Sequence, residues 1–322
     1  MTRYRLRVFN LVAVCCIVLD CFGAEPILYQ VSGRISPAGP AQVTLFGTAQ
    51  PFAASAEADV DGRFRFKRIE AGSYTIAVMV AGHGEARRTI EVGPSTANAK
   101  RQVWLDLDFA DSDFVFGEAT RHQAVTASQL AIPDKAMRDY TDARKALNRH
   151  DALSATRSLE HAVELAPGFA DAWNELGTIA YQTRRYDRAA ECFRHALLAD
   201  PSSYEPLVNL GGVLINLHEL EEALDDNLHA VLRRPNDPLA NSQLGLTYFE
   251  VGNYDLALKY LTRTVSLDPA HFSTPQLVMA EIHLRRKDQR AAADDLEGFL
   301  KYHPDWPRAA KMRKQIEEWR KE

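Results

Sequence analysis

The chain carries ten histidines and four cysteines, enough for a metal centre or a nucleophile, so their spacing decides what they can do. A helical zinc site needs two histidines one turn apart with a glutamate beside the first, and a thiolate site needs cysteines in close pairs. Neither HExxH nor CxxC occurs, and the GxSxG serine turn is also missing. His150, His161, His195, His218 and His229 fall in or between helix-like segments, where solvent-facing or hydrogen-bonded roles are expected. Cys192, beside Phe193, reads as a packing thiol with no identifiable activating base. Glu221-Glu222 and Asp225-Asp226 resemble acid–base couples, but charges on repeating helices are ordinarily solvated. Asp59, Asp61 and Gly62 begin like a calcium loop that lacks its distal glutamate and its helices, so a hairpin turn is the favoured reading. Gly211-Gly212 lies inside a helical stretch and makes no phosphate loop. The expectation is no metal, no cofactor and no catalysis, with an enzyme the least supported reading.

Amide, aromatic and other polar side chains recur at helical spacing at Tyr140 and Arg144, then Asn174, Thr178, Tyr181 and Gln182, then Asn216 and Phe249, and the family resemblance given below projects them onto one inner face. An amide both donates and accepts, which is what an extended peptide backbone demands. Tyr140, Tyr181 and Phe249 are of the kind that anchors protein interfaces. The competing reading packs each of them between helices or leaves it in water.

What must position them is a repeat. Pro167, Pro201, Pro235 and Pro269 recur every 34 residues and Pro304 follows 35 later, and self-similarity at a fixed period dictates a stacked architecture. Each proline stops one helix-like run and lets the next begin. Two columns of small residues keep the period: Ala155, Ala189, Ala223, Ala257 and Ala292, and Ala162, Ala196, Ala230 and Thr264. Small side chains let helices approach to about 8–10 Å. Trp173, Leu176-Gly177, Leu210-Gly211, Leu244-Gly245 and Tyr248 mark the first helices, and Leu159, Phe193, Leu261 and Leu296 the second.

This pattern resembles the tetratricopeptide family, best in residues 170–201, with fair copies in 204–235 and 238–269. The resemblance implies an all-α solenoid of about five helix-turn-helix repeats over residues 136–304, a capping helix in 305–322, and a concave groove that receives a peptide or protein partner. In the first copy Asp139, Asp142 and Ala143 stand where Trp173, Leu176 and Gly177 stand in the second, as in a capping repeat. The last copy carries one extra residue, placed around 272–274. Asn227 replaces a large apolar residue, which suggests a weaker local core. Tyr140, Asn174, Val208 and Ser242 occupy the slots where a carboxylate-gripping lysine would be wanted, so the family's carboxylate clamp is not expected and an uncharged or mixed ligand fits better.

Ahead of the repeats the pattern changes to short alternating runs broken by Gly and Pro: 27–35, 41–46, 54–58, 64–69, 73–80, 86–92 and 102–107. Period-2 alternation over such runs predicts an all-β seven-stranded sandwich. Asp59-Val60-Asp61-Gly62-Arg63-Phe64, followed by Ala71-Gly72-Ser73-Tyr74, resembles the carboxypeptidase regulatory-like, or transthyretin-like, family over 25–108. That resemblance implies a non-catalytic module that anchors or orients. Residues 109–135 lack a sustained apolar period and read as a linker, although Phe109, Phe114, Val115 and Phe116 are expected to pack on a neighbouring domain.

Residues 1–24 run Arg3, Arg5, Arg7, an apolar stretch broken by Asn10 and Asp20, then Gly23 and Ala24, the form of a secretory signal peptide. The stretch is shorter than the roughly 20 residues a spanning helix needs. Lipid attachment at Cys21 is disfavoured by Leu19 and Asp20, where small residues are required. Cleavage would leave Cys192 alone, without an internal disulfide. A net charge of −5 offers no concentrated basic surface for nucleic acid. The reading is therefore an exported, periplasmic or extracellular, non-enzymatic adaptor. Its alternative is an accessory protein of envelope assembly or polysaccharide handling, with glycan on the sandwich, for which Trp104, Tyr29 and Tyr74 are the aromatic candidates.

Overall fold

Alternation of apolar and polar side chains makes strands of the front segment, and the structure, a computed structural model, describes residues 26–115 and 132–321. The leader read at 1–24, most of the linker and Phe116 lie outside the described residues. The strands are β1 (Leu28–Ser36), β2 (Ala41–Gly47), β3 (Ala53–Ala58), β4 (Arg63–Glu70), β5 (Gly72–Val80), β6 (Gly84–Val92) and β7 (Gln102–Asp108). They form two sheets, ordered β4-β1-β7 and β3-β2-β5-β6, with β1 and β7 parallel and the other pairs antiparallel. Val31, Ile35, Val43, Leu45, Phe64, Phe66, Ile76 and Val78 fill the core between them. Tyr29 and Tyr74 are buried in that core, so of the three aromatic candidates for a glycan platform Trp104 alone is exposed.

The Asp59–Gly62 turn closes as a hairpin. The Asp59 carboxylate accepts from the amides of Asp61 and Arg63, both at 2.9 Å, and Gly62 sits at φ 76°, where a side chain would be strained. Its first carboxylate is thus engaged by backbone donors, and the described residues contain no group of three or more candidate metal ligands. Phe109 and Phe114 fold back into the sandwich core, and Val115 pairs with Glu85 on the edge of β6.

The second unit contains, among the described residues, eleven helices: α1 (Asp134–Leu147), α2 (Ala152–Leu165), α3 (Ala170–Gln182), α4 (Tyr186–Ala199), α5 (Tyr204–Leu217), α6 (Leu220–Arg233), α7 (Pro238–Glu250), α8 (Tyr254–Leu267), α9 (Pro275–Arg285), α10 (Gln289–Tyr302) and α11 (Ala309–Trp319). The turn inside each repeat is closed by a left-handed residue, His150, Arg184, His218, Gly252 or Lys287. Those positions keep the 34-residue spacing until the last, which falls 35 on. The turn before α9 contains a further left-handed residue, Thr274. Pairing within a repeat depends on glycine. A Cβ on Gly177 would lie 2.5 Å from the Phe193 ring, and one on Gly245 would lie 2.8 Å from Leu261. In the third repeat Gly211 makes room for Asn227 instead. Asn227 is fully buried, and its Nδ2 donates to Thr247 Oγ1 of the next repeat at 3.0 Å while its Oδ1 has no partner among the described residues, a polar cost that fits the weaker local core expected there. α11 closes the last repeat, with Met312 and Trp319 against the cluster of Ala292, Leu296 and Phe299.

The sandwich docks into the concave side of the solenoid. At one end Phe46 and Ala53 join the apolar cluster of α1–α3, Phe52 stacks on His150 at 4.5 Å, and Gln182 Nε2 donates to Gly47 O at 2.8 Å. At the other end Thr89 donates through N and Oγ1 to Asp268 Oδ2, at 3.0 and 2.7 Å, and Arg88 donates to Leu267 O at 3.0 Å. Ser95 donates to Asp305, and the buried His303 ring meets Glu91 at 2.9 Å.

Candidate functional site

The sheet packs against the solenoid at both ends and reaches its middle through the Arg87–Glu205 pair at 3.5 Å, and a cavity of about 1390 Å³ remains between them. Strand parity builds one wall. Gln42 and Phe46 of β2, Thr75 and Met79 of β5, and Glu85, Arg87 and Thr89 of β6 all point away from the sandwich core. The first helices of the repeats build the other wall.

Seven of the eight side chains expected in the groove line this cavity: Tyr140, Arg144, Asn174, Thr178, Tyr181, Gln182 and Asn216. Phe249 does not. It packs with Ala257, Leu261, Val278 and Ile282, and the Arg285 guanidinium lies over its ring at 5.0 Å. The residues one and two repeats earlier at the same position, Ile215 and Tyr181, do reach the cavity. Phe249 differs because α9 covers it through Val278 and Ile282.

The amides are already ordered. Asn174 Oδ1 accepts from Asn209 Nδ2 at 3.1 Å, and Asn216 Nδ2 donates to Gly212 O at 2.9 Å. The backbone of this chain's own β2 takes Gln182. Tyr140 tilts against Phe169 at 5.0 Å, and its hydroxyl meets Glu175. Burial lifts the Glu175 carboxyl above the ordinary range, against the pull of Arg144. Burial likewise pushes Glu205 up, but Arg87 and Arg234 pull it down further, and the net position is below the ordinary value.

Carboxylates dominate the lining. Glu85, Asp113, Asp171, Glu175, Asp200, Glu205, Asp237, Glu250 and Asp268 face four guanidiniums, Arg87, Arg88, Arg144 and Arg234. Arg87 is engaged by Glu85 and Glu205, Arg88 by Asp113, and Arg234 by Glu205. Cys192 is fully enclosed, and burial pushes its thiol up to about 11, so it is no nucleophile at neutral pH. His161 meets Asp139 at 2.7 Å and His195 stacks on Trp173 at 4.5 Å, structural roles for both rings.

The sandwich wall of the site was not read from sequence. Its trace was there: Val43-Thr44-Leu45 and Ile76-Ala77-Val78 bury consecutive residues, which means that both faces of that sheet are covered.

Fold and site together define a helical-repeat solenoid whose groove is closed by a β-domain of the same chain. Two segments, residues 170–203 and 240–271, match models of the tetratricopeptide repeat, so the chain carries such repeats. The peroxisomal targeting signal receptor of Candida albicans is 25% identical over 199 residues, 58% of this chain and 32% of that protein. Human tetratricopeptide repeat protein 21B is 25% identical over 231 residues, 66% of this chain and 17% of its own length. The chain thus spans a third or less of these curated relatives. Among solved structures, MamA (41-end) from Desulfovibrio magneticus is 21% identical, with 55% of this chain and 99% of that chain covered at a TM-score of 0.49.

Proposed function

We propose that the protein is a non-enzymatic adaptor that holds an extended peptide segment of a partner in the cleft between the concave repeat face and the four-stranded sheet. The observation that carries this reading is the cleft itself. At about 1390 Å³ it exceeds the roughly 300–1,000 Å³ typical of small-molecule pockets. Its walls offer ordered amides, hydroxyls and aromatic edges in place of a convergent reactive group. Tyr140, Arg144, Asn174, Thr178, Tyr181, Gln182 and Asn216 form the binding wall in this reading. Carboxylates outnumber guanidiniums nine to four, so a segment of mixed character bearing Lys or Arg is preferred. The name of one relative, a receptor for a targeting signal, supports a peptide ligand. The front domain is taken as a carboxypeptidase regulatory-like module that orients the solenoid and roofs its groove. Residues 1–24 are taken as a leader that exports the chain, and N-terminal sequencing of protein recovered from its source tests that.

Peptide display on the chain from Glu25 onward tests the binding. Enriched sequences should carry Lys or Arg, and Asn174→Ala with Tyr181→Ala should weaken them at least about tenfold with unchanged far-ultraviolet circular dichroism. Full retention of the selected peptides by that double variant would sink the assignment.

A further inference from the structure

The sheet β4-β1-β7 turns its outer face away from the solenoid, and that face has a composition found nowhere else on the sandwich. Alternation sends Phe64, Phe66, Val31, Ile35, Val103 and Leu107 inward. It leaves Arg63, Arg65 and Lys67 outward on β4, Gln30, Ser32 and Arg34 on β1, and Gln102, Trp104 and Asp106 on β7. Register sets these side by side. Ser32 lies between Arg65 and Trp104, Arg34 lies between Arg63 and Asp106, and Gln30 lies beside Gln102. With strands about 4.8 Å apart and same-face residues about 6.7 Å apart, the cations form a row along one margin and the indole stands about 10 Å across from it.

Three features show that nothing among the described residues fills the face. Trp104 is 59% exposed, while the other three tryptophans are at least partly buried. Its Nε1 donates to Asp106 Oδ1 at 3.1 Å, which holds the ring in one orientation. Arg65 and Lys67 pair with no carboxylate among the described residues, on a chain whose net charge is −5 and which has acids to spare. Arg34 and Arg63 are tethered at the margin by Asp61, through its carbonyl at 3.2 Å and its carboxylate at 3.4 Å.

We propose that this face binds an acidic polysaccharide, a chain of sugar rings bearing carboxylate or sulfate groups. A fixed, open indole offers an apolar plate to the C–H face of a sugar ring. Gln30, Ser32 and Gln102 supply the donor and acceptor pairs that ring hydroxyls need. Arg65 and Lys67 meet the anionic substituents, and the guanidinium can do so with two parallel hydrogen bonds. A nucleic acid fits less well. Its affinity grows with the number of phosphates neutralised, and two unpaired cations beside a single aromatic neutralise few. The site is separate from the peptide cleft, on the opposite face of the sandwich.

The test uses the chain from Glu25 onward with four probes: heparin, polygalacturonate, neutral dextran and single-stranded DNA. Binding is followed by tryptophan fluorescence and titration calorimetry. Heparin or polygalacturonate should bind and dextran should not. Trp104→Ala and the pair Arg65→Glu with Lys67→Glu should each weaken binding at least about tenfold, while selected cleft peptides bind as before. All three positions are exposed, so circular dichroism should not change. The proposal is overturned if neither acidic polysaccharide binds, if the variants bind unchanged, if DNA binds as tightly as the better polysaccharide, or if the variants act only by dissolving a dimer seen in sedimentation.

Discussion

Replacing Asp268 with alanine should loosen the sandwich from one end of the solenoid without unfolding either. β6 is an edge strand, and Thr89, although opposite Thr75 of β5, sends its N–H outward to Asp268. Both the N–H and the Oγ1–H of Thr89 end on the same carboxylate oxygen, and the two residues are 7% and 3% exposed. Truncation strands two buried donors, at about 1–3 kcal/mol each. Burial holds the Asp268 carboxyl above its ordinary range, so the variant also sheds a desolvation cost that offsets part of this loss. A net penalty of about 2–3 kcal/mol raises the open population about 30- to 150-fold. Hydrogen exchange reads it directly: the Thr89 amide should lose that much protection, while amides of 46–53, held at the far end by Gln182 and His150, should change little. Asp268→Asn, which keeps one acceptor oxygen, should fall between. Thr89 exchange within threefold of wild type in the alanine variant would refute the latch.

Gly177→Ala should lower stability by about 1–3 kcal/mol, because its Cβ would lie 2.5 Å from Phe193. Gly298→Ala, on α10 with nothing within 4 Å, should raise stability by up to about 1 kcal/mol; denaturant titration of both checks the contrast. Asp295 is pushed up to about 7, by burial first and then by Asp294 and Asp288, and His283 at 3.7 Å is too far to bond it. A raised folded value means a contribution fully present below about pH 4 and lost as pH rises through about 7. Asp295→Asn should therefore gain on wild type in melting temperature between pH 4 and pH 8, by the equivalent of up to about 4 kcal/mol. Cys192 should resist a thiol reagent in the native state and react only on unfolding, followed by absorbance with and without denaturant.

The repeats were legible in the sequence because each touches only its neighbours, so their packing is written locally. The 34-residue proline ladder, the alanine columns and the Gly177–Phe193 pairing all express contacts between adjacent helices. The seven strands were legible for a similar reason, since Phe64 and Phe66 inside and Arg63 and Arg65 outside report a pleat that alternates at every residue. Tertiary structure alone decided that the sandwich would close the groove. The contact that latches it joins Thr89 to Asp268, 179 residues apart, through single side chains that belong to no period. It also decided the fate of Phe249, whose helical position matches Tyr181 but which the next repeat's α9 covers. Periodicity states which face of an element turns from water; what that face meets is set by where the chain returns in space.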